Sequence, residues 1–454
     1  MRSLVAGFLL LLVLSACCCA QGIQPYPNAI TDRLLHGKTA MAPPAARTLF
    51  QDPDFATTMV RVTDENTVAN FPGSFFRNPP PDVNEWSADQ HKFYVAASNQ
   101  KNHLNLAFAF DPATMAISSL PGAAPGAGVQ IPLRLGPTFS FVDSDLMYGS
   151  DLRAPLVIDT YRFSTGKTVP LVDVTKCRTE PPLVAGPKVS SGDMTISNDD
   201  NRVVISAGAN QFSARPFVIV YDKKLGCRWY NTQTGQIGGQ WGPSGQASTS
   251  DKFSINHSKI SGNGRYVRIG VTRTGFYVWD LETLSVQPCY VKSDLKCSGY
   301  GATGYDAYIN VPGAIDELNA FRRPLSDLSA MTPLLNPLPK PHYKGMEKHF
   351  AWSNGRLDSN APVCGATYDP KGAVEIKQPY DGEIFCMETD GVASTVWRFA
   401  HHRAIWDSEY YWTEPLGNIS LDGRFYMFTS GWDGQVGVTP EGDPRTDVWI
   451  VKLE

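Results

Sequence analysis

The stretch Ile419-Ser420-Leu421-Asp422-Gly423-Arg424-Phe425-Tyr426-Met427-Phe428 decides how this chain is read. A serine opens a polar turn, and the turn feeds a run of aromatic and apolar residues with strand character. Asp-Gly between two β-rich runs is a hairpin signal, because the turn needs φ > 0, where glycine has no Cβ to clash. The phrase recurs in degenerate form. Trp86-Ser87-Ala88-Asp89 leads to Phe93-Tyr94-Val95, and Phe139-Ser140-Phe141-Val142-Asp143 leads to Leu146-Met147-Tyr148. Ile196-Ser197-Asn198-Asp199-Asp200 precedes Val203-Val204-Ile205, and Ile260-Ser261-Gly262-Asn263-Gly264 precedes Tyr266-Val267. Trp352-Ser353-Asn354-Gly355 is the remaining copy. The serines at 87, 140, 197, 261, 353 and 420 lie 53, 57, 64, 92 and 67 residues apart. The 92-residue interval has room for one diverged unit, which we place at Tyr300 to Leu334.

Seven units with periods near those of propeller blades predict an all-β, seven-bladed β-propeller with four-stranded blades, spanning residues 57–454. Gly275-Phe276-Tyr277-Val278-Trp279-Asp280 and Phe217-Val218-Ile219-Val220-Tyr221-Asp222, each followed by a polar turn, read as the start of an outer hairpin. A β-sandwich rarely needs this many units, and β-helix rungs are shorter. Ala314 to Leu328 is the one stretch with helical spacing. Met59-Val60-Arg61-Val62 is expected to pair beside Asp447-Val448-Trp449-Ile450-Val451, closing the ring and removing its exposed edges.

The chain has 454 residues, 42% hydrophobic and 19% charged, with a formal net charge of -4. That balance is globular, and it supplies no basic footprint for nucleic acid. Arg2 and the apolar run Leu4 to Leu14 read as a signal peptide over residues 1–20, too short for a bilayer span. Leu14-Ser15-Ala16-Cys17 resembles a bacterial lipobox with Cys17 as the lipidated residue; ordinary cleavage after Ala20 is the alternative. Residues 21–56 form an N-terminal extension. The chain is expected to be exported, as a periplasmic or cell-envelope lipoprotein or else secreted, touching membrane only through that lipid. In an oxidising compartment the even set Cys177, Cys227, Cys289, Cys297, Cys364 and Cys386 favours disulfides, and neighbour pairing is preferred among fifteen connectivities.

Ser-x-Asp-Gly-Arg-aromatic phrases at the head of a blade resemble the TolB-type β-propeller repeat. The segment Val396-Trp397-Arg398-Phe399-Ala400-His401-His402-Arg403, with the Ser420 phrase after it, resembles a set of exported bacterial propellers. These resemblances imply a fold and little about activity. Glu347-Lys348-His349-Phe350-Ala351-Trp352 is similar to the His-Glu-Phe-Trp phrase of oligogalacturonate lyase. There the His helps hold a divalent metal with a Gln and two further His at the start of a later blade. Here Glu414 and Leu416 stand where that family has its two His, and Leu cannot ligate a metal. No metal ligand is therefore nominated, and a divalent ion is the one cofactor the resemblance leaves open.

Residues just before each serine should face the channel mouth. Read that way, Asn84, Glu85, Thr138, Asp193, Asn256, His257, Lys348, His349 and Asn418 make a polar rim. For β-elimination on a uronic acid, His257 or His349 would be the base, Arg403 or Lys348 the neutralising cation, and Tyr410 or Tyr411 the acid. Trp406, Tyr410, Tyr411 and Trp412 with Glu414 either stack on sugar rings or fill the gap between the last two blades. His401 and His402 point to opposite faces of a strand, so one is expected to pack on Trp406 or Trp412 and the other to hydrogen-bond. Neither a Gly-x-Ser-x-Gly elbow nor a His-Glu-x-x-His motif occurs. The leading expectation is a monomeric binding module for a carbohydrate or a protein at the channel mouth. A polysaccharide lyase with a degenerate metal site and a TolB-like assembly scaffold are the alternatives.

Overall fold

The computed structural model describes residues 25–454 apart from 69–70, 72–73, 82, 100–101, 184–189, 192–193, 209–215, 272–274, 291–296, 298–300, 311–319, 335–346, 353–354, 356, 369–374, 392–394 and 408. The strand backbone at 190–191 and 347–348 is described without its side chains. Seven antiparallel sheets follow one another along the chain as the blades of a β-propeller. Their innermost strands are Phe75–Arg77, Leu135–Phe139, Thr195–Ile196, His257–Ile260, Ala302–Thr303, Glu347–Trp352 and Gly417–Ile419, for blades 1 to 7.

In the blades where the serine phrase is present and described, it makes the hairpin that leaves the innermost strand. In blades 1, 3, 4 and 7 the serine Oγ donates to the acidic or amide side chain two residues on, as in Ser87 to Asp89 and Ser261 to Asn263, both at 2.6 Å. The same Oγ accepts the backbone N–H five residues on, from Lys92, Arg202, Tyr266 and Phe425, at 2.9 to 3.0 Å. The residue three after the serine is left-handed each time: Gln90 at φ 62°, Asp200 at 58°, Gly264 at 72° and Gly423 at 78°. Gly is the low-strain choice there, and the first two blades of that set manage without it. Blade 2 differs, since Ser140 donates instead to Asp200 of the next blade.

Alternate residues of each strand pack on opposite neighbours. In Phe425–Ser430, Phe425 and Met427 join Trp86, Phe93 and Val95 of blade 1, whereas Tyr426 and Phe428 join Ala366 and Ile384 of blade 6. The apolar core is thus a set of layers between blades rather than one centre.

The diverged unit is present as blade 5, with strands Ala302–Thr303, Ala307–Asn310, Phe321–Pro324 and Thr332–Pro333. This corrects the helical expectation for Ala314 to Leu328: Phe321–Pro324 is a strand paired to Ala307–Asn310, and residues 311–319 lie outside the described set. Apolar side chains at helical spacing were satisfied by tertiary strand pairing instead, with Leu325 and Leu328 packed on Tyr308. Ring closure is as expected, with Met59 opposite Val451, Val60 opposite Ile450 and Arg61 opposite Trp449. Leu49–Gln51 adds a fifth strand outside Thr58–Arg61. Blade 1 gains Val129–Ile131, and blade 3 gains Gln236–Gly239 and Gly245–Gln246, beyond the expected four strands.

Cysteines 177 and 227, 289 and 297, and 364 and 386 form three disulfides, the neighbour pairing expected. Cys177 follows the last strand of blade 2 and Cys227 lies in blade 3, so that bond ties two blades. Among the described residues no helix is long and apolar enough to cross a membrane. Residues 1–24, with Cys17, lie outside the described set.

Candidate functional site

The innermost strands meet around a narrow axial space. A cavity of about 10 Å³, room for about one water, is bounded by Asn84, Thr138, Thr195, Asn198, Lys259 and Thr303 from five consecutive blades. Much of the expected polar rim is spent on holding blades together. Asn84 accepts the N–H of Phe139 at its carbonyl, donates its own N–H to Thr138 Oγ1 at 3.0 Å, and donates Nδ2 to the Phe139 carbonyl. The Ile260 N–H donates to Thr195 Oγ1 at 2.9 Å, and Asn418 Nδ2 donates to the Val83 carbonyl at 2.6 Å. Glu85 is fully buried beside Asn78 and Asn418, and burial pushes its carboxyl well above the usual range. Asn84 and Asn418 therefore act as interblade linkers.

Blades 6 and 7 are different. His349, the third residue of its innermost strand, stands with Nε2 3.6 Å from Glu414 Oε2, both side chains nearly buried. Glu414 reaches it from the connection that carries the chain to Gly417–Ile419, directly after the short 3-10 turn Tyr411–Thr413. His349 stacks on Tyr368, with ring centroids 5.6 Å apart, and Trp406 meets Tyr368 edge-on. Tyr411 is 53% exposed at the rim. Trp412 is turned away: it stacks on Phe75 of blade 1 at 4.2 Å and donates Nε1 to the Pro444 carbonyl. Of the four loop aromatics, Trp412 thus packs between blades, and Tyr411 alone stands well exposed to solvent.

Two other nominated residues, His257 and Arg403, are bound to partners of their own. His257 Nε2 accepts from Arg268 Nη1 at 2.9 Å, which fixes that nitrogen as an acceptor for a guanidinium. Asn256 is exposed beside it. Arg403 is 1% exposed and bound elsewhere, with Asp433 at 3.3 Å, Asp54 at 3.8 Å and the Trp432 ring beneath its guanidinium. It is a buried cation of the blade 7 rim, not a cation facing the mouth. His402 donates Nε2 to the Thr367 carbonyl at 2.7 Å and accepts the Ala404 N–H at Nδ1. His401 packs edge-on against Phe55 of the N-terminal extension, where Trp406 or Trp412 was expected. Asp193 lies outside the described residues, and the Lys348 side chain is not described.

Lys259 is one of four axial residues, with Thr195, Asn198 and Thr303, that the polar rim expected from sequence did not include. It stands two residues before Ser261, the same register as Thr138 and Thr195 before their serines, so strand alternation was the available signal.

No family model matches the chain, and no curated protein matches it. Among solved structures the chain is similar to oligogalacturonate lyase from Vibrio parahaemolyticus, at 11% identity and TM-score 0.55, over 90% of this chain and 96% of that one. It is also similar to an oligogalacturonate lyase solved in complex with manganese, at 11% identity and TM-score 0.54, over 92% and 99% of the two chains. At that identity the likeness is one of fold. The donors near His349 do not fit a resident divalent ion: Leu416 carries no donor atom, and among the described residues no three His, Cys, Asp or Glu side chains converge. One imidazole and one carboxylate leave most of a coordination shell to water.

Proposed function

We propose that the chain is an exported propeller that binds a glycan at the mouth between blades 6 and 7 without turning it over. The His349–Glu414 pair beside Tyr368, Trp406 and the exposed Tyr411 carries this reading. Sugars stack their C–H faces on aromatic rings and bond their hydroxyls to a few polar groups, and this mouth offers both kinds of group. The shared fold with oligogalacturonate lyases supports trying acidic glycans first. Against turnover stands the engagement of Arg403 with two carboxylates, which takes away one of the two cations nominated for β-elimination near His349. Three disulfides and an apolar leader support export.

Calorimetric titration with galacturonate oligomers and a neutral glucan tests the reading. Binding should weaken about tenfold or more in His349→Ala and Glu414→Gln, the cost of a lost buried polar contact, and less in Tyr411→Ala. Ultraviolet absorbance should stay flat, because no conjugated double bond forms. Affinity untouched by both His349→Ala and Glu414→Gln would remove the mouth from consideration, and a steady absorbance rise would make the protein a lyase.

A further inference from the structure

A second cavity, of about 350 Å³, lies between blades 1 and 2 and shares no lining residue with the His349–Glu414 pair. Arg77, the last residue of Phe75–Arg77, enters it from one blade, and Arg134, just before Leu135–Phe139, enters from the other. Among the described residues no carboxylate lines it, and neither guanidinium makes an ion pair. Arg77 Nε is buried with no acceptor. Between them stands His103, held by Ser98 Oγ at 2.7 Å from its Nδ1 and by the Asn105 side chain. Burial holds this imidazole down at about 4, and the charges of Arg77 and Arg134 both push in the same direction. Two guanidinium charges share one concave, half-buried space with an uncharged imidazole, and a concave wall concentrates their field rather than letting water disperse it. That arrangement destabilises the empty protein and favours a small negative guest.

We propose that this cavity is an oxyanion site in which Arg77 and Arg134 grip the carboxylate or phosphate group of a small ligand. Guanidinium forks match either group through paired N–H donors, so the chemistry is shared by an acidic sugar and a phosphate ester. An anion seated there reverses the field at His103. Its imidazole then gains a proton more easily, and binding tightens as pH falls.

The test uses the full exported chain with its histidines labelled at Cε1, His103 being assigned by loss of its resonance in His103→Gln. Inorganic phosphate and sodium galacturonate are titrated separately to about 50 mM, well above a millimolar Kd. The probe that binds should raise the His103 titration midpoint, and by linkage each unit of that rise makes binding about tenfold tighter below the midpoint than above it. The larger response, to phosphate or to galacturonate, identifies the source of the anion. Arg77→Gln with Arg134→Gln should abolish the response; Arg77→Lys, which keeps the charge and is the safer folder, should weaken it. His349→Ala should leave it intact, so failure of the mouth and failure of this site are separable. A His103 resonance unmoved by both probes overturns the proposal, as does a response that survives the double Gln variant. Asp82 lies outside the described residues, and a response seen only in Asp82→Asn would also overturn it, since the chain's own carboxylate would then be the occupant.

Discussion

Acid should loosen blade 6 through His402, by an amount that its surroundings set. The ring is 1% exposed, gives its Nε2 proton to the Thr367 carbonyl and receives the Ala404 N–H at Nδ1, so both nitrogens are committed to the neutral form. Burial depresses its titration to about 3. In the unfolded chain the same imidazole titrates near about 6.5. Between those values the unfolded state binds a proton that the folded state refuses, so stability is full above about pH 6.5 and drains as pH falls. At about pH 4.5, two units below the unfolded midpoint, the loss is about 2.5 kcal/mol relative to neutral pH. Denaturant melts at the two pH values check this in wild type and His402→Gln. The variant should start about 1 to 3 kcal/mol lower, having lost a buried hydrogen bond, yet lose about 2.5 kcal/mol less on acidification. Titrating groups that do not interact with His402 contribute equally to both proteins and cancel. Equal acid losses in the two proteins would refute the reasoning, as would a folded-state His402 that titrates near 6.

Two further outcomes follow from the same packing. Arg398, fully buried, bonds Glu383 through Nε at 2.7 Å and Nη2 at 2.6 Å and holds Asp32 of the extension at 2.8 Å. Arg398→Leu should cost about 3 to 5 kcal/mol by stranding the Glu383 carboxylate, whereas Arg398→Leu with Glu383→Leu should recover most of that in chemical denaturation. Val60 pairs with Ile450 across the closing seam, so Val60→Pro removes a ladder donor and should cost a few kcal/mol and several degrees of melting temperature; an unchanged melt would mean that the seam does not hold the ring.

The repeat was legible because the serine phrases of blades 1, 3, 4 and 7 make the same local hydrogen bonds, and those bonds need only residues five apart. The closing strand and the disulfides were legible for related reasons: one follows from the need to cover a sheet edge, the other from proximity of cysteines within or between successive blades. Blade 5 was harder. It lacks the serine phrase, and its apolar spacing imitates a helix until pairing with Ala307–Asn310 overrides it.

The sites depended on side-chain direction, which no local pattern carries. His349 and Glu414 lie 65 residues apart and meet only because consecutive blades bring their innermost strands side by side. Arg403 was free to face the mouth until the extension brought Asp54, and blade 7 brought Asp433, to its guanidinium. Arg77 and Arg134 form a pair only across a blade boundary. Alone, the amino-acid order determined the ring, its blade phrases and its closure, since these rest on short-range turns and alternating burial. Which polar groups serve as interblade bonds and which remain open to a ligand was decided by the closed ring, because a charge takes its role from the partners packed around it.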